Sequence, residues 1–196
     1  MVAVWIRVIA LAMALAVAAA LNMTMNIPFH YPLFMQCDPS WAEDIMVTKT
    51  VCNVGCLMSS TSMGLAGVAI PIKQGGGFSV GSTPKSLNEW LKTNDGYDDS
   101  NDMYETQIPL IDPSRITWPE DGMHKTNDLS YEVVSSYLDK GRIVIANVDN
   151  GGHFVLLTGY STDLDTFAIN DPGHDITTYS YTKDVVGYRI FDMIRV

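Results

Sequence analysis

Basic residues are scarce in this 196-residue chain: Lys and Arg number 12 against 22 Asp and Glu, for a formal charge of −10. They form no cluster able to displace counterions from a phosphate backbone, so no nucleic-acid partner is expected. The acidity itself favours solubility and identifies no partner. Internal repeats and low-complexity tracts are also absent, leaving an ordinary packed core as the way to bury apolar surface. Cysteine is limited to Cys37, Cys52 and Cys56, and no Cys/His pair with suitable spacing stands near them. Zinc normally takes four ligands, so no metal site is expected, and no cofactor either. Long apolar runs are missing except at the start of the chain.

That one run, Ile9 to Ala20, follows Arg7 and ends in Ala18-Ala19-Ala20, the small-residue pattern of a cleavable secretory leader. The uncharged stretch from Val8 is shorter than the roughly 20 residues a membrane helix needs. Residues 1–20 are therefore expected to be a signal peptide. Removing them and Arg7 leaves 176 residues at −11, Leu21 to Val196, read as one secreted, extracellular, monomeric domain with no stable membrane span. The sequon Asn22-Met23-Thr24 lies too close to the cleavage site to carry weight.

Helical signals come first and extended ones second. Leu21 to Asp44 is an irregular lead-in interrupted by Pro28, Pro32 and Pro39. A buried helix is expected to start near Cys56 and run to Ala69, closed by Pro71 and a Gly75-Gly76-Gly77 turn. Thr83 and Pro84 open a second helix with Leu87, Trp90 and Leu91 on one face, and Ser130 caps a third that reaches Gly141. Between these helices, Gln107–Ile111 and Arg115–Trp118 read as short extended pieces. After Gly141, five β-branched or aromatic runs alternate with Asp-Asn-Gly-Gly, Ser-Thr-Asp and Asp-Pro-Gly turns. Helices followed by an antiparallel sheet make an α+β domain.

Cys56 stands at the expected helix start, where unpaired N–H groups favour a thiolate, with Gly55 before it to let a substrate approach. Taken alone it is equally an ordinary buried cysteine. His153 opens an apolar strand behind Gly151-Gly152, at a sheet rim, whereas His30, His124 and His174 lack such flanks. Asp171 ends the following strand, 171 − 153 = 18 residues on, so antiparallel pairing would return a carboxylate to the imidazole. The same Asp before Pro172 also suits a turn. Gln36, 20 residues upstream of Cys56, is a candidate oxyanion donor if the chain loops back.

The blocks Gln36-Cys37-Asp38-Pro39-Ser40-Trp41, Val54-Gly55-Cys56-Leu57, Thr83 to Leu91, Gly152 to Tyr160 and Ile169-Asn170-Asp171-Pro172 resemble the peptidase thirty-nine-like family. These are papain-like cysteine peptidases related to the peptidases that process bacteriocin leaders. The resemblance implies a papain-like fold, a peptide or protein substrate, Cys56, His153 and Asp171 as catalytic residues and Gln36 at the oxyanion. Cys37 and Cys52 lie outside the family's catalytic pattern. Paired in an oxidising compartment, they would close a loop of about 15 residues worth up to ~3 kcal/mol and leave Cys56 free. The rival pair Cys52–Cys56 would silence the thiol. A secreted amide hydrolase working through an acyl-enzyme is the expectation. The alternatives are an acyl transferase, a cell-wall peptide hydrolase, or a non-catalytic binding protein presenting the polar stretch from Tyr97 to Asp128.

Overall fold

The β-branched runs after Gly141 pair as their alternation requires. A computed structural model describes residues 24–195, so the expected signal peptide lies outside the described residues. Strands β6 (Ile143–Val148), β7 (His153–Ser161), β8 (Thr166–Asn170), β9 (Thr178–Ser180) and β10 (Gly187–Met193) form most of one antiparallel sheet. Its path runs β4-β10-β6-β7-β8-β9, with β4 at Ile116–Thr117; β1 (Met25–Asn26) adds to β7, and β5 (Met123–His124) to β10. The result is a mixed α+β structure.

The period-2 pattern sorts the sheet's side chains onto two faces. Ile143, Ile145, Leu156, Phe191 and Met193 join one buried cluster with the N-terminal helices. Val144, Ala146, Val148, Val155, Leu157 and Ile190 join a second with Tyr131, Val134 and Leu138 of a covering helix. The helices are α1 (Val51–Val54), α2 (Cys56–Gly67), α3 (Pro84–Thr93) and α4 (Tyr131–Asp139). Thr83 and Ser86 close a reciprocal capping box on α3, and Ser130 caps α4, both at the expected residues.

Helix α2 is buried on nearly every side, including Ser59, Ser60, Thr61 and Ser62. Three of these hydroxyls find carbonyls, while that of Ser59 has no partner among the described residues: Thr61 donates to Leu57 at 2.9 Å and Ser62 to Ser59 at 2.7 Å. Ser60 donates to the Phe154 carbonyl at 3.2 Å, which ties α2 directly to β7. Gly64 lets the helix lie against β6, since a Cβ there would come within 2.7 Å of Ile143 Cγ2.

One extended expectation is wrong. Residues Glu105–Ile111 form a 3-10 helix. Its buried residues Ile108 and Ile111 are three apart, the spacing at which a 3-10 helix stacks side chains, and a strand would have put them on opposite faces. Helix α1, strands β1 and β5 and the hairpin of β2 (Ile72–Lys73) with β3 (Ser79–Val80) were not anticipated; the expected glycine turn is that hairpin's loop.

Candidate active site

Cys56 is the first residue of α2, and the Gly55 cap offers no side-chain partner to the helix's opening N–H groups. Gly55 is required for a different reason from the one anticipated. Helix α1 ends on it, and a Cβ would lie 2.5 Å from the Val51 carbonyl oxygen. The two helices are thus joined through this single residue, and the thiol sits just past it.

His153 opens β7, paired with Val148 of β6, and is buried. Strand β8 runs back along β7 with Asn170 opposite Leu156, so Asp171 emerges beside the imidazole. The His153 Nε2 to Asp171 Oδ1 distance is 2.7 Å. Asp171 Oδ1 also accepts from the N–H groups of Gly173 at 2.7 Å and His174 at 3.0 Å, while the Tyr179 hydroxyl donates to Oδ2 at 3.3 Å. Gly173 packs under the ring, where a Cβ would come within 2.9 Å of His153 Cε1.

Nε2 being engaged by Asp171, Nδ1 is the nitrogen left for the Cys56 thiol. Burial works against the imidazolium, but hydrogen bonds and attraction from Asp171 and Cys56 outweigh it and lift the His153 pKa to about 9. Burial likewise opposes the Asp171 carboxylate, yet the bonds from His153, Gly173 and His174 hold its pKa below the ordinary value. A charged imidazolium beside the Asp171 carboxylate is thus the favoured state at neutral pH.

Gln36 is brought to the same place. Its N–H donates to the Pro172 carbonyl at 2.7 Å, and its side-chain Nε2 donates to the Cys52 carbonyl at 2.7 Å. The reverse amide orientation would set two carbonyl oxygens against each other, so the nitrogen must face Cys52. Nε2 keeps a second hydrogen, while buried Oε1 has no partner. Cys37 and Cys52 form a disulfide and Cys56 is free, which eliminates the Cys52–Cys56 pairing. The disulfide fixes Gln36 one residue from its anchor.

Gln36, Cys56 and His153 line one cavity of about 280 Å³, with Asp171 behind the imidazole rather than in the wall. The structure therefore brings together all four residues singled out from the sequence. Two others, Tyr179 and Asn101, escaped notice, and His174 was set aside for its flanks. The His174 ring lies 5.0 Å from that of His153, Tyr179 supports Asp171, and Asn101 braces the cavity wall. His174 carried one signal, its position three residues after Asp171 in a Pro-Gly turn. Among the described residues, no group of three or more His, Cys, Asp or Glu could hold a metal ion, and no helix is long and apolar enough to cross a membrane.

No curated protein and no solved structure matches the chain significantly. A family model does match, over residues 30–189, a span that runs from before Gln36 to beyond Asp171. On that match the chain belongs to the Peptidase C39 like family, whose type is cysteine peptidase and whose substrates are peptides or proteins.

Proposed function

We propose that the chain is a secreted cysteine peptidase of papain-like fold, a single catalytic domain over residues 21–196 acting through Cys56, His153 and Asp171. The observation that carries this reading is His153 bonded to Asp171 through Nε2 and interacting with Cys56, in a cavity shared with Gln36. His153 holds on Nδ1 the proton given up by Cys56, and the thiolate attacks the substrate carbonyl. The Gln36 side-chain N–H and the Cys56 backbone N–H donate to the developing oxyanion. Collapse of the tetrahedral intermediate breaks the C–N bond, and the imidazolium gives its proton to the leaving amine. Water then yields a proton to His153 and its oxygen attacks the acyl-enzyme, releasing the acid and restoring the thiol pair. Asp171 keeps Nε2 protonated and stabilises the imidazolium throughout. Secretion is supported by the leader-like residues 1–20 and by the Cys37–Cys52 disulfide, a bond that persists in oxidising compartments.

Cys56→Ala is expected to abolish peptide hydrolysis while leaving the circular dichroism spectrum and melting temperature in place. Iodoacetamide should alkylate Cys56 selectively. Hydrolysis unaffected by Cys56→Ala would overturn the assignment. A thiol of ordinary reactivity on an inactive chain would point to a binding protein on the same fold.

A further inference from the structure

The cavity at Cys56 has a braced, chemically distinctive wall. Two loops contribute to it, residues 44–50 and 98–103, and Asn101 joins them. Buried and held at φ 74°, Asn101 accepts through Oδ1 from the N–H groups of Val47, Thr48 and Lys49 at 3.1, 2.8 and 3.0 Å. Its Nδ2 donates to Thr48 Oγ1 at 2.9 Å. This clamp fixes the backbone beside Met46 and Met103, both of which are buried and reach the cavity. Met58 of α2 and Phe154 of β7 extend the apolar lining.

Methionine is flexible and polarisable, so such a wall moulds itself to a class of apolar side chains and not to one shape. At about 280 Å³ the cavity lies just below the usual range of roughly 300–1,000 Å³ for ligand pockets, which suits one or two peptide residues. Its one carboxylate is that of Asp102, which is exposed and has no ion-pair partner among the described residues. The neighbouring groups do not neutralise it. Asp98 is spent on the N–H groups of Ser100 and Asp102, Glu105 is paired with Arg189, and Asp149 adds a further negative charge beside Gly152. Lys49, the basic residue of the facing loop, makes no ion pair among the described residues.

We propose that this cavity is the specificity pocket of the enzyme: it receives a large apolar side chain next to the cleaved bond, and Asp102 turns acidic residues away. The substrate class is then a neutral or basic peptide carrying a residue such as Leu, Met or Phe beside the scissile carbonyl. This inference rests on the cysteine-peptidase reading of Cys56.

The test uses short peptidyl chloromethyl ketones, which alkylate a positioned thiol whether or not turnover follows. Each probe's rate is divided by the iodoacetamide rate on the same protein, so changes in thiol reactivity cancel. For the intact disulfide-bonded protein, a Leu or Met probe should exceed its Gly counterpart at least tenfold, since each apolar methylene in a pocket is worth about tenfold or more. Met103→Lys should bring that ratio near unity. Should Met103→Lys fail to fold, Asp102→Asn, at an exposed site, gives a second reading. The preference for a Gln over a Glu probe, expected at about fivefold as for an exposed charge pair, should vanish in that variant and fade in high salt. Equal rates for Leu and Gly probes, or a Gln/Glu preference unchanged by Asp102→Asn, would sink the pocket even if peptides are cleaved. Failure of iodoacetamide to label Cys56 selectively would instead sink the peptidase reading, and the pocket with it.

Discussion

The two sides of the candidate site are held by different forces. On the thiol side, Cys56 and Gln36 are fixed by packing and covalency: a buried helix, the junction at Gly55 and the Cys37–Cys52 bond. On the imidazole side, His153 and Asp171 are fixed by charge and hydrogen bonds at the end of two strands. The first side should therefore answer to reductants and the second to pH. Shape resists protons, and an ion pair resists thiols.

The largest expected effect strikes the charged side. His153→Ala should lower kcat/KM by about 10²–10⁴, the usual worth of a general acid–base group, with little change in KM. On the thiol side, Gln36→Ala should cost about 10²–10³ in kcat by removing one oxyanion donor, again with KM nearly constant. A Gln36→Ala enzyme of full activity would remove that residue from the oxyanion site. Replacing Cys37 and Cys52 together by Ala should destabilise the protein by about 3 kcal/mol in urea titrations, the value for a loop near 15 residues. It should also cost more kcat than KM, because Gln36 loses its fixed neighbour.

The charged side then separates itself by pH. Its alkaline limb of kcat/KM is expected near pH 9, where the raised His153 pKa lies. Asp171→Asn keeps an acceptor but removes the charge, so the limb should move toward neutrality while disulfide removal leaves it in place. Stability should follow the same sign. Because the folded imidazole binds its proton more tightly than the ordinary value of 6.5, its contribution is complete below about that pH and is lost as pH rises through about 9. The smallest effect belongs to Tyr179→Phe, which removes the 3.3 Å bond to Asp171 Oδ2. A loss of about threefold with a slight upward drift of the alkaline limb is expected, since the carboxylate's charge is then less shared, as for a net hydrogen bond of about 0.5–1 kcal/mol. A loss without the drift would make Tyr179 structural only.

Local signals made much of the fold legible. Thr83, Pro84 and Ser130 act through neighbours within one turn, and the alternating runs after Gly141 needed only a partner strand. Residues 107–111 read as extended because Ile108, Leu110 and Ile111 crowd into a run too short to show a period, and Pro109 suits more than one local structure. Within the site, Cys56 and His153 stood out through flanking glycines, and Asp171 through the length of one hairpin. Gln36 needed the family resemblance, since its approach depends on a disulfide and on a backbone bond across the molecule. Asn101 acts only once distant loops have met, so no spacing in the sequence announces it, whereas His174 and Tyr179 follow Asp171 closely and gain their roles only beside His153.

The bond from the Gln36 N–H to the Pro172 carbonyl has a consequence of its own. Both partners are main-chain groups, so substitution of the surrounding side chains neither supplies nor removes them. Related chains could drift through most of their residues and still keep the oxyanion loop stitched to the turn after Asp171. Only a shift in chain length on either side would cut the stitch. Insertions and deletions around residues 30–40 and 171–175, more than exchanges of residues, are where descendants of this chain should lose their chemistry.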